Sequence, residues 1–449
     1  MLTSGAATGT YLGTLAFFLL ITIFAVYLNK SLYTGDVESR TKTYVAARNT
    51  QGSFAIALSF FASGAGAWAL FTVPEAAILG GPVAIVGYTI SCMVPLAIFG
   101  CIGPYMRRNL PEACTFFEYI QARYGTLVNV YCTLVSLFYM LLYLSAEFTS
   151  VGSCVVSLSE LSSPLGPVIA TSLVTLAYTS VGGLPVSLFT DKIQGVGILI
   201  FAVLVCVAAF GFYELPTSSD DEFVRANWEM VTTWGLGGTA ENSFKIAIVL
   251  ISAVTCANMM HSGFQQRIWA AQGDKAVRRG AIISVLLIIP FMVLFGVLGM
   301  ISFAHFGIPG LVAVGPDNTY LAFLAAFFLI GAMPVVWQAL AIVLAVMLVS
   351  SSADTLQTGV AALLKPVTTK VTYTVIYMLC VCVCMHIYIY VYIYIYICIY
   401  IYIYIYIYIH VCMYTYIHIY MYIMWSLSTQ SLGGCLGYAF NLGPGARAY

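Results

Sequence analysis

The sequence predicts an all-α polytopic membrane protein, and its composition is the first reason. Of the 449 residues, 61% are apolar and 8% are charged, whereas a soluble domain carries about 25% charged residues. The formal net charge is zero, which argues against a nucleic-acid partner. The 13 cysteines show neither CxxC nor Cys/His spacing, so neither a disulfide framework nor a metal site is indicated.

Long apolar runs are the second reason, because about 20 apolar residues are needed to cross a bilayer as a helix. The segment 319–331 is apolar but short, and we expect it to lie at the outer surface. The opening segment lacks a basic region and a cleavage site, so it is interpreted as an uncleaved first span. The predicted spans are 11–28, 53–73, 82–103, 126–146, 164–181, 192–213, 245–262, 281–303 and 334–363.

The basic residues give the orientation, since cytoplasmic loops of membrane proteins are enriched in Lys and Arg. Most of the 17 basic residues fall in alternate loops, beginning with the loop that holds Lys30 and Arg48. Those loops are predicted to be cytoplasmic, with the N-terminus outside. The acidic loop 214–244 is then external, solvated and structural.

The second predicted span contains the sequence Ser-Gly-Ala-Gly-Ala at 63–67, which is poor helix material. Within hydrocarbon, a break is tolerated only where it is buried in protein or lines a watery cavity. Freed carbonyls at such a break can coordinate a cation. The alternative is a small-residue face for helix packing.

A second interruption is predicted at Gly182 and Gly183, between two spans. Asp191 and Gln194 follow, and they are expected to open the next helix, where acidic and polar groups complement free N–H groups. The segment 178–194 is therefore interpreted as a cytoplasmic hairpin.

This hairpin carries the pattern GGL-x5-TD-x2-Q, which resembles the signature loop of the sodium/solute symporter family, the class of the sodium–glucose, proline and pantothenate carriers and the fungal urea permeases. Four further segments are similar to that family in the expected order, and the resemblance covers about residues 10–366. They are TYVAARN at 43–49, LPEACTFFEYIQARYG at 110–125, GFQQRIWAA at 263–271 and SSSADTL at 350–356.

The resemblance implies an inverted repeat of five plus five helices, with broken first and sixth core helices. The last two core helices are missing here. The implied divisions are an extra N-terminal span and loop at 1–50, a first repeat at 51–213, an external loop at 214–244, an incomplete second repeat at 245–366 and a tail at 371–449.

The resemblance also implies a sodium site between the broken first core helix and the eighth. Its ligands fall on the carbonyls of Ala62 and Ala65 and on the hydroxyls of Ser350 and Ser351. A different register would place apolar residues at the last two positions. Serines within a bundle also form interhelical hydrogen bonds, which is the alternative interpretation.

Several other residues near these spans are candidates for function. A carboxylate within a span suggests a function, so Asp354 is a candidate for cation or proton transfer, or else lies solvated at the cytoplasmic mouth. Glu147 is expected to be an interfacial acid, and His261 a helix-end residue. The remaining candidates are Trp68 and Asn258 for substrate binding, with a buried packing amide as the alternative for Asn258. Gly182, Gly183, Asp191 and Arg267 are candidates for a gate or an ordered loop, with a helix cap and a positive-inside charge as the alternatives for Asp191 and Arg267.

Residues 387–409 alternate Tyr and Ile almost without interruption. These residue types are all encoded by alternating purine–pyrimidine triplets, so we interpret roughly 371–425 as translated non-coding sequence. The alternative is a real strand-like segment, which would be prone to aggregation. Sequencing the transcript distinguishes the two.

The predicted function is secondary active symport, with sodium as the coupling ion and the proton as second choice. The solute is small and polar, and urea is the first candidate. The protein is expected to be multi-pass in the plasma membrane, with the bilayer as its surroundings, and no oligomeric state is indicated. No nucleotide or protease motif is present, so neither a pump nor an enzyme is expected. The alternatives are a non-transporting sensor with a degenerate transporter fold and a non-functional truncated product.

Overall fold

The apolar runs form α-helices throughout the part of the chain that the computed structural model describes, which is residues 2–28, 43–212, 216–219, 221–314 and 334–364. These residues belong to one compact unit, 1–389. The segment 319–331 and the tail 371–449 lie outside the described residues. The helices are α1 Ser4–Leu28, α2 Ser53–Gly64, α3 Thr72–Asn109, α4 Phe116–Ser157, α5 Leu165–Phe212, α6 Glu222–Thr233, α7 Ala240–Met259, α8 Ser262–Ala270, α9 Asp274–Val314 and α10 Val335–Leu364.

Helical structure is present at each of the nine predicted spans, although the boundaries differ. Seven of the described helices are long and apolar enough to cross a membrane. The numbers differ because α5 contains two predicted spans, and because the span predicted at 53–73 is divided between α2, a 3-10 turn at Ala67–Leu70 and the start of α3. The fold is therefore all-α, as predicted.

A turn at Gly183 explains how α5 holds two spans. A straight helix of 48 residues would be about 72 Å long, which exceeds a bilayer. Gly183 has φ 57° and ψ −155°, a conformation that residues with a Cβ rarely adopt. A Cβ there would also lie 2.5 Å from the ring of Tyr44. The predicted interruption is present, but the second half begins just after Gly183 rather than near residue 192.

Helix α10 lies at the centre of the described bundle. Every residue from Leu344 to Leu363 is buried, and a helix that is buried on all sides lies in the core of a larger assembly. It packs against α2, α4, α5 and α8. The serine-rich segment predicted to bind an ion is therefore at the core.

Large apolar side chains cover the outer surface of the long helices. Leu20 of α1 and Leu127 of α4 are 65% and 85% exposed, which is unfavourable in water and natural against lipid. Together with the length of the helices, this surface identifies a multi-pass membrane protein.

Candidate functional site

The interruption predicted at 63–67 is present. Helix α2 ends at Gly64, Ala65 has φ −86° and ψ 86°, and Gly66 is extended. A 3-10 turn follows at Ala67–Leu70 before the chain becomes helical again. The composition of the segment, rather than a proline, ends the helix.

Ser351 contacts this interruption from α10. Its hydroxyl donates to the carbonyl oxygen of Ala62 at 2.8 Å and is also within 3.0 Å of the carbonyl of Leu348. Two of the four predicted sodium ligands are therefore in direct contact. Ala65, the third, lies three residues further along the chain and is buried.

Ser350 is the fourth predicted ligand, and its hydroxyl is buried without a hydrogen-bond partner among the described residues. Its backbone carbonyl accepts a hydrogen bond from the Tyr178 hydroxyl at 3.0 Å. The hydroxyl of Ser352 is directed back along its own helix, to the carbonyl of Leu348 at 3.2 Å. Of the three serines, Ser350 is thus the one whose hydroxyl has no hydrogen-bond partner among the described residues.

A second interruption lies between α7 and α8, where the sixth core helix was predicted to break. Met260 and His261 separate the two helices. Ser136 of α4 donates to the carbonyl of Met260 at 2.6 Å, and Gln265 donates to the carbonyl of Met259 at 3.0 Å. Protein donors therefore satisfy the carbonyls freed here, and the sequence interpretation missed both of these donors.

The two predicted substrate residues lie near the two interruptions, with aromatic side chains of α3 and α4 beside them. Trp68 stacks on Tyr88 of α3, with ring centroids 5.3 Å apart. Asn258, at the end of α7, accepts a hydrogen bond of 3.3 Å from the Tyr139 hydroxyl of α4. Tyr139 in turn packs against Tyr143 at 5.9 Å.

Four buried side chains form a polar group that we call the arginine cluster: Ser59, Asp191, Arg267 and Thr355. Arg267 pairs with Asp191 at 2.8 Å, and neither side chain is exposed to solvent. The guanidinium also donates to the hydroxyls of Ser59 at 2.9 Å and Thr355 at 2.6 Å. Ser59 donates to Asp191 at 2.5 Å, so α2, α5, α8 and α10 all meet at one charge pair.

This geometry corrects the interpretation of Asp191 as a residue that opens a helix. The second half of α5 begins after Gly183, which places Asp191 about two turns inside it. Its carboxylate neutralises Arg267 instead of capping free N–H groups. Arg267 is likewise buried rather than a loop cation.

Asp354 lies beside the arginine cluster, and solvation at the cytoplasmic mouth is ruled out because the residue has no exposed surface. Its carboxylate accepts hydrogen bonds from Ser187 at 2.9 Å and Thr190 at 3.2 Å. Thr355 donates to it at 3.3 Å, and this hydroxyl also accepts from Arg267. Two buried carboxylates are thus linked to one guanidinium.

The expectation for Glu147 was wrong. The predicted span ended at 146, but α4 continues to Ser157, so Glu147 is a buried residue within a spanning helix instead of an interfacial acid. One carboxylate oxygen accepts a hydrogen bond from the backbone N–H of Ala67 at 2.7 Å. The signal that could have revealed it is the run of small and apolar residues at 148–158, which extends the helix.

Comparisons with known proteins agree on the family and the fold. A sequence profile of the sodium:solute symporter family matches residues 44–372. A spermidine transporter of Candida albicans is 27% identical over 340 residues, a match that covers 76% of this chain and 61% of that protein. The chain thus spans less than two thirds of the length of this curated relative.

Two solved structures share the fold. One is a Na+-coupled sialic acid symporter in a substrate-bound outward-open state, with a TM-score of 0.69, 17% identity and coverage of 86% of this chain and 82% of that one. The other is a nucleobase-cation-symport-1 family transporter in a closed conformation with bound bromovinylhydantoin, with a TM-score of 0.54, 12% identity and coverage of 76% and 74%. At these identities the likeness shows the fold alone.

The profile match covers most of the chain and includes the hairpin, both interruptions and α10. It confirms the predicted resemblance. The chain belongs to the sodium:solute symporter family.

Proposed function

We propose that this protein is a secondary active transporter that couples inward sodium flow to the uptake of a small polar solute. The observation that carries the proposal is the contact between the Ser351 hydroxyl and the Ala62 carbonyl, at an interrupted membrane helix in a chain of this family. Interrupted helices supply unpaired carbonyls and helix ends, which are the groups that transporters use to hold ions and substrates.

The sodium ligands in this proposal are the carbonyls of Ala62 and Ala65 and the hydroxyls of Ser350 and Ser351. All four are neutral hard oxygen donors, which suit a hard cation of low charge. Ser350 supports the assignment because its hydroxyl is buried with no hydrogen-bond partner among the described residues. A sodium ion would take the place of the Ser351–Ala62 hydrogen bond as the bridge between α2 and α10.

The buried carboxylates supply the second element of coupling. Asp354 belongs to α10, four residues after Ser350, and it is linked to Arg267 through Thr355. A shift of α10 on ion binding would therefore move Thr355 and Asp354 relative to the Asp191–Arg267 pair. We assign Asp191, Arg267 and the Gly182–Gly183 turn to a cytoplasmic gate, and Asp354 to proton transfer should the coupling ion be a proton.

Trp68 and Asn258 are assigned to the solute because they lie at the two interruptions. Urea is the candidate drawn from the sequence, and spermidine is the compound named for the relative from Candida albicans. Both are small, polar and rich in nitrogen. We therefore propose a nitrogenous solute, carried across the plasma membrane by rocking of two repeats, 51–213 and 245–366.

Uptake into proteoliposomes tests the proposal with the full chain. Radiolabelled spermidine and urea are offered under an inward sodium gradient, with choline replacing sodium in the control, and under a proton gradient without sodium. We expect at least one solute to accumulate only with sodium. Driving by protons alone would overturn sodium coupling, and uptake of neither solute by correctly inserted protein would favour a sensor.

Two serine variants test the proposed ion site in the same assay. Ser351→Ala removes a proposed ligand and is expected to abolish the sodium-dependent component. Ser284→Ala is the matched control, because that hydroxyl is also buried without a partner among the described residues but belongs to α9. Equal uptake by the two variants would move the site elsewhere.

A further inference from the structure

Glu147 has one carboxylate oxygen committed to the protein and one that is not. Oε2 accepts the hydrogen bond from the Ala67 N–H at 2.7 Å, which supports the 3-10 turn after the interruption. Oε1 is buried and meets hydrogen-bond geometry with none of the described residues, although the Ser352 hydroxyl and the Trp68 backbone N–H lie near the same carboxylate. A structural helix cap explains the first oxygen but not the second.

The charge of Glu147 also lacks a protein counterion within the described residues. The salt bridges recorded there join Arg108 with Asp274, Lys245 with Glu241, and Arg267 with Asp191. A carboxylate buried in a membrane domain without a cation is strongly unfavourable. Such residues mark the paths of substrates and ions more often than they serve packing.

The Trp68 ring adjoins the free oxygen, and two tyrosines share the face of α4 on which Glu147 lies. Tyr139, Tyr143 and Glu147 are spaced four residues apart on α4, which places them on one face of that helix. A Cβ at Gly66 would lie 1.8 Å from Oε1 of Glu147 and 2.6 Å from Cδ1 of Trp68, so carboxylate and indole are neighbours across the Gly66 backbone. The indole N–H of Trp68 is also buried without a hydrogen-bond partner among the described residues.

The rings are more accessible than the carboxylate. Trp68, Tyr139 and Tyr143 are half-buried, whereas Glu147 has no exposed surface. A ligand that reaches Glu147 past these residues therefore meets aromatic side chains first and the carboxylate last. This order suits a group that carries a positive charge on an apolar stem.

An alkylammonium group matches each of these features. Its N–H groups can donate to Oε1, its charge neutralises the carboxylate, and its positive end is attracted to the faces of Trp and Tyr rings. A neutral solute could satisfy the hydrogen bond but would leave the charge unpaired. We propose that Glu147, Trp68 and Tyr143 form a binding site for an alkylammonium group of the transported solute, an inference that rests on the proposed transport function.

Competition binding on the unaltered full chain in nanodiscs tests this directly. Labelled putrescine is displaced by unlabelled putrescine or by 1,4-butanediol, which has the same four-carbon chain with hydroxyls in place of amines. We expect the diol to compete about tenfold or more weakly, since a hydrogen bond to a charged group exceeds a neutral one by that much. Equal competition by the diol, or no binding of putrescine, would overturn the proposal.

Substitutions test whether the charge of Glu147 is responsible for putrescine binding. Glu147→Gln keeps an oxygen that can accept from the Ala67 N–H but removes the charge, and it is expected to weaken putrescine binding about tenfold or more. If Glu147→Gln does not fold, Glu147→Asp, which keeps the charge, is measured in its place. Glu241→Gln, at an acid that is 75% exposed, should bind as the unaltered chain does. Unchanged binding by folded Glu147→Gln would refute the assignment.

The sodium dependence of the same binding separates this inference from the transport proposal. Putrescine binding that needs Glu147 but is the same in sodium and in choline would support the ammonium site and argue against sodium coupling. Sodium-dependent uptake of urea, with the diol and putrescine equally poor competitors, would support transport and overturn the ammonium site.

Discussion

The arginine cluster and Glu147 contain carboxylates that are equally buried and differently paired. Asp191 is bonded to Arg267 and Ser59, so its charge is neutralised within the protein. Glu147 is bonded to a backbone N–H and has a free oxygen. Burial alone therefore does not tell a structural carboxylate from a binding carboxylate, but the partners do.

The position of each group in the fold accounts for this difference. The arginine cluster joins α2, α5, α8 and α10, so its charges hold four elements in register. Glu147 faces the 3-10 turn after the interruption, where its carboxylate accepts the Ala67 N–H. Neutralising a carboxylate that organises packing is expected to destabilise the protein. Neutralising a carboxylate that binds a ligand is expected to leave the stability of the free protein unchanged and to weaken ligand binding.

Removal of Arg267 should have the largest effect on stability. Arg267→Met leaves Asp191 and Asp354 buried without a cation, and loss of one partner of a buried pair costs about 3–5 kcal/mol. Thermal unfolding of the purified protein in detergent measures it. The control is Lys245→Met, whose partner Glu241 is exposed and whose loss should cost about 1 kcal/mol or less. Similar losses in both variants would contradict the role of the cluster.

The two aspartates near Arg267 should differ from each other. Asp191→Asn leaves the guanidinium unpaired and is expected to destabilise by about 3 kcal/mol. Asp354→Asn keeps an oxygen for the Ser187 hydroxyl, can donate its amide N–H to the Thr190 hydroxyl, and removes a negative charge from a cluster with two. The change should therefore be below about 1 kcal/mol. The same unfolding assay ranks them, and the reverse order would show that Asp354 is the true partner of Arg267.

A methyl group at Gly66 should test the close approach of Glu147. The Cβ would overlap Oε1 at 1.8 Å, so Gly66→Ala must displace the carboxylate, and overpacking of this kind costs about 1–3 kcal/mol. Gly166→Ala is the control, because no heavy atom lies within 4 Å of the added carbon. Midpoints of thermal unfolding give the comparison, and an unchanged Gly66→Ala midpoint would argue that Glu147 does not pack there.

Local features of the fold were predictable from the sequence. The helices follow from apolar runs, because the bilayer demands about 20 such residues for each crossing. The interruption at 63–67 follows from two glycines and a serine within five residues. Helix ends were less predictable. The end of α4 was placed at 146 instead of Ser157, and this error alone moved Glu147 from the interior to the interface.

Pairings between distant residues were beyond the local pattern. Asp191 and Arg267 are 76 residues apart in the chain, and nothing in the vicinity of either indicates the other. The contact between Ala62 and Ser351 spans 289 residues, and it was anticipated only because the family resemblance brings the two segments together. The family resemblance indicated no such contact for Glu147.

Sodium-dependent stability is the most direct test of the proposed ion site. The thermal midpoint of the full chain is measured in sodium chloride and in equal choline chloride, for the unaltered protein, Ser351→Ala and Ser284→Ala. Sodium at about 100 times its dissociation constant would add about 2.7 kcal/mol to the free energy of unfolding. We predict this increase for the unaltered protein and Ser284→Ala, and its loss in Ser351→Ala. A full sodium shift in Ser351→Ala would contradict the site.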